Sequence, residues 1–534
     1  MTMYRGSGSL RETDELRDLL KEIQEKHLHP EDPYEIAALL ESIGWNDLRV
    51  RQRFGMDNVF DLARQLWGMQ RRTIHARANE FVPRTPVWQS VVNAVREFAR
   101  GMVFALPMVL SEISMLTLHF SLWSYQNLSV SLATSIAIGT ILSFFTVGGF
   151  MQAIARRAFF YIFQGYYKMA QRVTFQYIRM GIYTSVGISA LLVWINGLFP
   201  ILPFHMLFVG LAYYIVLNAI WLSVTVMYVL KREVFFTGLL ASGIGLVWIG
   251  FRGLHINIII AQLAAMLFIS LVGMLLVLYF FRRSPNRLEH GIQPHLPRPG
   301  VTVYSTLPYF LYGFLYFVLL FVDRVMAWST NSAFSQYLIW FRGDYEAGLD
   351  FALATMILPL GVTEVVVTRI MNAALVAQRQ YAGREAAEMN RAFLADYRKS
   401  MVTMVITAAI SAVLVYLGVK WLLDNYLMHL PQAVTLTSTS NFVFVIGLIS
   451  YSILSIALLN AVTMFSLNRP ELVVRPILLS VAVNLATGFL LSRWFSYADA
   501  VWGILAGSII FLFFTTRNVF QVFRNFDYHL YLLS

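Results

Sequence analysis

The chain alternates apolar runs long enough to cross a bilayer with short polar breaks, and the alternation begins only after a polar first hundred residues. A helical span needs about 20 predominantly apolar residues, because the helix rises about 1.5 Å per residue through a hydrocarbon layer about 30 Å thick. Spans are predicted near 102–124, 130–153, 178–198, 204–229, 234–251 and 257–281, then near 303–327, 347–369, 401–423, 441–464, 472–492 and 500–516. Twelve is even, so both termini are expected on one side of the membrane. The runs do not read as the strands of a barrel.

The breaks orient the spans. Basic residues gather after the even-numbered spans: Arg156, Arg157, Lys168 and Arg172 after span 2, Lys231 and Arg232 after span 4, Arg282, Arg283 and Arg287 after span 6. Arg379, Arg384, Arg391, Arg398 and Lys399 follow span 8, and Arg469 follows span 10. The opposite breaks "SYQNLS", "NGLFPILPFH" and "YLMHLPQAVTLTSTSN" hold no Lys or Arg. Positive charge stays on the cytoplasmic side of a span, which predicts cytoplasmic N- and C-termini.

One polar, proline-rich linker, "RRSPNRLEHGIQPHLPRPG" at 282–300, divides the spans six and six. Spans 1 and 7 both carry Leu-Pro near their start, at Pro107 and Pro308, and spans 2 and 8 are both followed by an amphipathic helical stretch. The pattern predicts two lobes of equal orientation. The expected organisation is an N-terminal region over 1–98, an N-lobe over 99–281, a linker over 282–301, a C-lobe over 302–520 and a tail over 521–534.

The N-terminal region reads as a small helical module, with a first helix near Glu12 to Lys26. "PEDPYEIAALLESIG" offers Asp32 as N-cap, Pro33 at the first helical position and Ile36, Leu39, Leu40 and Ile43 on one face. Two more short helices follow, near Asn46 and in "MDNVFDLARQLWGM". "VPRTPVWQSVVNAVREFARG" then reads as an elbow or interfacial helix, with Trp88 and Arg96 placed for the headgroup region.

Composition agrees with a membrane protein and narrows its chemistry. Of 534 residues, 57% are hydrophobic and only 13% charged, against about 25% charged in soluble domains, and the mean hydropathy is +0.60. The net charge of +11 is explained by topology rather than by nucleic acid. The chain has no cysteine, hence no disulfide or thiolate chemistry. No nucleotide-binding phosphate loop and no zinc-ligand cluster among the ten histidines is evident, so neither enzymatic activity nor a cofactor is expected.

Four features carry a family resemblance: the prolines early in spans 1 and 7, the segment "TVGGFMQAIARRAFFYIFQGYYKMAQ" that ends span 2, the matching stretch after span 8, and the closing segment from "NRPELVVRPILL" through Asn484, Gly503 and Gly507. Over residues 100–520 the chain resembles the multidrug, oligosaccharidyl-lipid and polysaccharide (MOP) exporter superfamily. The aspartate near Trp in "FVDRVMAW" is similar to the Pel exopolysaccharide transporter branch. The N-terminal region departs from the usual superfamily pattern. The resemblance implies an all-α membrane protein of two six-helix lobes, like the MATE transporters. It further implies export of a polysaccharide or lipid-linked saccharide, with a cytosolic glycosyltransferase and membrane scaffold subunits as partners beside the membrane lipids.

Ionisable groups inside spans are costly and mark cavities or partners. Glu112, two turns past Pro107, is a candidate for proton coupling or substrate contact. Asp323 and Arg324 sit late in span 7, where they either anchor the span end at the interface beside Trp328 or line a pathway. Glu364 in span 8 is a further cavity candidate, and Asp350 an interface residue. Arg369 and Arg475 offer charge to an anionic cargo or serve topology, and Tyr309, Tyr312 and Tyr316 recur at helical spacing as a sugar-stacking or packing stripe. A cation-coupled drug or metabolite exporter of the same fold is the alternative. A glycosyltransferase would need a larger outer loop than Ser329 to Glu346, and a purely structural platform subunit is the remaining rival.

Overall fold

A computed structural model describes residues 32–69, 87–103, 106–283, 299–330, 337–380, 386–425 and 436–531, with a few positions between 16 and 23. The proline-rich linker, most of the expected first helix and much of the break after span 9 lie outside these residues. The described residues are helical apart from turns and one isolated bridge, Phe120 to Tyr125. By their contacts they form two units: one of residues 1–94, 369–396 and 523–534, the other of 95–368 and 397–522.

The smaller unit holds the short helices of the N-terminal region, and their ends are satisfied as the sequence suggests. Asp32 accepts from the Glu35 amide at 2.8 Å to start Pro33–Ser42, and Asn46 accepts from the Arg49 amide at 2.9 Å to start Asp47–Phe54. Gly55 closes the latter helix at φ 66°, a left-handed cap open to glycine at little cost. Ile36, Leu40, Val50, Phe54, Leu62 and Leu66 are buried in one cluster.

In the larger unit, eleven helices among the described residues are long and apolar enough to cross a membrane. Spans 2 to 7 are Val130–Phe163, Tyr167–Leu198, Phe204–Val229, Glu233–Trp248, Ile258–Arg283 and Pro299–Trp328. Span 8 starts at Gly343 and, after one tight turn at 354–356, continues as Ile357–Gln380. Spans 9 to 12 are Ala386–Asn425, Ser438–Ser466, Glu471–Trp494 and Val501–Arg524. The outward faces are apolar where lipid would lie: span 3 exposes Val186, Leu191 and Trp194, and span 9 exposes Ile406, Val413 and Leu417.

The first span is shorter than its apolar run. Its helix is Leu106–Leu118, and the chain then turns at His119 with φ 66°. The apolar Phe120 and Leu122 that extend the run are buried in protein. Gln262 of span 6, fully buried, holds this turn by donating to the Ser121 and Ser124 carbonyls at 2.8 and 2.9 Å while accepting from Tyr213 at 2.6 Å. The preceding helix, Val87–Val103, exposes Trp88, Val91, Val92 and Val95, an apolar stripe at the spacing of an interfacial helix.

The lobes meet where spans 2 and 7 cross. Gly148 and Gly313 let the backbones touch, since a Cβ on Gly313 would collide with the Gly148 carbonyl and, at 2.6 Å, with Gln152. Around them Phe144 stacks on Phe317 and Phe321 with ring centroids 5.1 and 5.2 Å apart. At the basic-loop end, Arg156 bonds Asn468 and lies 5.3 Å over the Tyr309 ring, and Arg157 bonds Ser305.

Candidate functional site

Span 7 runs unbroken through Pro308 and brings Asp323 and Arg324 to within two turns of its end. The expectation that this pair could mark the exit from hydrocarbon is corrected by burial: Asp323 is 0% and Arg324 5% exposed. A charge with no access to headgroups needs partners, and span 8 supplies them.

Its first helix, Gly343–Leu353, begins earlier than the predicted span and carries Tyr345, Glu346 and Asp350. Glu346 and Asp350 are four positions apart, so both face the same way. The Arg324 guanidinium donates to Glu346 and, at 2.9 Å, to Asp350, while Trp328 Nε1 donates to the other Glu346 oxygen at 2.9 Å. Tyr345 donates to Asp323 Oδ2 at 2.8 Å. Glu346 is therefore no loop acid, and Asp350 no simple interface residue. The cluster opens through Asp350, whose side chain is 45% exposed.

Glu112 extends the cluster across the lobes. From span 1 it lies close enough to interact electrostatically with Asp350 and Arg324. Tyr451 of span 10 closes another side, near Arg324 and Asp323. Asp323 Oδ1 and Arg324 Nε are buried without a hydrogen bond among the described residues, and the Tyr451 hydroxyl lies beside the Arg324 guanidinium. The Asp323, Glu346, Asp350 and Arg324 set holds two more carboxylates than guanidinium groups, before Glu112 is added. Such an arrangement can exchange a proton or cation for the missing positive charge.

The remaining candidates lie elsewhere. Glu364 has Glu97, Arg100, Lys231 and Glu233 as charged neighbours, and Gly101 packs against it, so it forms a separate cluster where the helix Val87–Val103 touches span 8. Arg369 pairs with Asp396 on the surface of the smaller unit, and Arg475 is exposed. Tyr309 bonds Asn468 at 3.0 Å, and Tyr312 is buried edge-on against Phe465 at 4.5 Å and stacks on Tyr316. All three tyrosines take part in helix packing. Sequence reasoning missed Glu346 and Tyr345 as partners, and also Arg493, which donates to the Met326 and Ser329 carbonyls and to Thr330 at the end of span 7.

No protein-family model and no curated protein matches the chain. Solved structures do match its fold. The MOP superfamily transporter from Pyrococcus furiosus aligns at 11% identity over 80% of this chain and 96% of its own, with a TM-score of 0.56. The eukaryotic MATE transporter AtDTX14 aligns at 10% identity over 81% and 99%, with a TM-score of 0.55. The bent form of the Vibrio cholerae MATE transporter VcmN aligns at 14% over 83% and 99%, with a TM-score of 0.52. Among the described residues the chain is all-helical with the MATE transporter fold, and its eleven long helices with the short first one are compatible with twelve spans.

Proposed function

We propose that the chain is a membrane transporter that moves a polysaccharide or lipid-linked saccharide by alternating exposure of a site between its two lobes. The observation that carries the transport reading is the buried acid cluster completed across the lobes: Asp323, Arg324, Glu346 and Asp350 come from spans 7 and 8, Glu112 from span 1. A lobe movement that separates Glu112 from Asp350 changes the charge balance of the cluster, which links proton or cation occupancy to conformation. Saccharide as cargo rests on the sequence likeness around "FVDRVMAW" to the Pel branch. In this reading the protein works in a bacterial inner membrane with its basic loops cytoplasmic, and the N-terminal helices dock a glycosyltransferase or scaffold subunit.

The acid excess favours a second reading, a cation-coupled exporter of small molecules. A deletion strain complemented with wild type, Glu112→Gln or Asp323→Asn separates the two when surface and intracellular polysaccharide are measured beside susceptibility to toxic cations, at matched protein levels. The proposal expects surface polymer to fall with susceptibility unchanged. Normal polymer with raised susceptibility would overturn it in favour of the exporter.

A further inference from the structure

A cavity of about 890 Å³ opens at the basic-loop end of the N-lobe, between the ends of spans 2 to 6 and away from the acid cluster. Three cations line it: Lys231 and Arg232 from the turn joining spans 4 and 5, and Arg283 from the last turn of span 6. Arg232 lies over the Phe280 ring at 5.5 Å, and Arg283 lies over Tyr279 at 5.7 Å and bonds its hydroxyl. The adjacent rings of span 6 thus set both guanidinium groups on one wall. Neither makes an ion pair among the described residues, whereas Lys231 is shared with the field of Glu364.

A second cavity, of about 350 Å³, shares Phe235 and Leu276 with the first. Its other walls are Val234, Gly238 and Leu239, so its lining is entirely apolar. Positions 234, 235, 238 and 239 form one face of span 5 leading from its start at Glu233 into the membrane-spanning part. Gly238 is open, since a Cβ there would meet nothing within 4 Å.

Unpaired guanidinium groups at a span end joined to an apolar furrow running along the span match one kind of molecule, with a phosphate at one end and a hydrocarbon chain at the other. We propose that the two cavities form one site for an anionic membrane phospholipid, its phosphate between Arg232 and Arg283 and one acyl chain over Gly238. The site is independent of the transported cargo and of the acid cluster.

The test uses the full chain purified in mild detergent with equal phosphatidylglycerol and phosphatidylcholine, read by native mass spectrometry. Wild type should retain phosphatidylglycerol in preference, and inorganic phosphate should not replace it in raising the melting temperature. Arg232→Gln with Arg283→Gln should lower phosphatidylglycerol affinity about thirtyfold, on the scale of two surface cations. Gly238→Trp keeps both cations and fills the furrow, so it should also lose retention. Arg391→Gln with Arg398→Gln, an equal charge change elsewhere, should leave retention intact. The proposal fails if wild type shows no lipid preference, if either site variant retains the lipid as wild type does, if the Arg391 and Arg398 control loses as much, or if phosphate alone stabilises equally.

Discussion

Replacing Arg324 tests whether the acid cluster is held by charge. Its guanidinium is the only cation bonded to Glu346 and Asp350 among the described residues, and its side chain is 6% exposed against 9% for Glu346. Arg324→Gln leaves Glu346 buried with only the Trp328 indole as donor. Breaking one partner of a buried pair costs about 3–5 kcal/mol, because the survivor is left unpaired in a low dielectric. Glu346→Gln in the same chain removes the orphaned charge while its amide oxygen still accepts from Trp328. Asp350, at 45% side-chain exposure, can be hydrated, and Asp323 keeps the Tyr345 hydroxyl. The loss in the double variant should therefore fall short of the sum of the two single losses by about 0.5–3 kcal/mol, the range of coupling between contacting residues. Unfolding of the purified chain in lipid nanodiscs, followed through the four corners of this cycle, measures it. Additive losses, or a loss below about 1 kcal/mol for Arg324→Gln, would refute an electrostatic origin.

Gln262→Leu leaves the Ser121 carbonyl and the Tyr213 hydroxyl without this partner and the Ser124 carbonyl with only the Ser121 amide, so the melting curve should report a loss of about 1–3 kcal/mol. Gly313→Val forces spans 2 and 7 apart, at a cost of about 1–3 kcal/mol. Because the chain has no native cysteine, spin labels at the exposed positions Phe160→Cys on span 2 and Tyr304→Cys on span 7 can report the separation, and an unchanged distance would contradict the contact. Asn46→Ala should cost about 1 kcal/mol and speed amide exchange within Asp47–Phe54 without affecting span 7.

The spans were legible because a bilayer imposes one length and one polarity on every element that crosses it. Boundaries failed where an apolar run continued for another reason. Phe120 and Leu122 are apolar because protein covers them, and nothing in their chemistry distinguishes that from lipid. Span 8 begins earlier than its apolar run for the opposite reason: "GDYEAGLD" looks like a polar loop, yet two of its three acids, Glu346 and Asp350, accept from Arg324 while Asp344 stays exposed. The spacing of Glu346 and Asp350 was the available signal, since two carboxylates one helical turn apart imply a shared partner. Its identity was not readable, because Arg324 lies 22 and 26 positions away and only the packing of spans 7 and 8 joins them.

Span 7 explains why the charges sit where they do. One face meets span 2 through Gly313, another meets span 11 where Asn484 donates to the Leu319 carbonyl at 2.9 Å, and a third offers Arg324 to span 8. Asn484 is itself crowded by Gly503, whose Cβ would come within 2.7 Å of its carbonyl, so spans 7, 11 and 12 pack as one block. A helix fixed on three sides within the protein has little freedom to tilt its charges toward headgroups, and this burial is what converts Asp323 and Arg324 from an anchor into an internal pair. The contact with span 2 lies on the N-lobe, as does Glu112, while the other two contacts lie on the C-lobe. Any movement between the lobes must then either slide the small-residue contact at Gly148 and Gly313 or break it, and in both cases Glu112 moves relative to Asp350. The packing that buries the cluster is thus also the packing through which a change in its charge would act on the lobes.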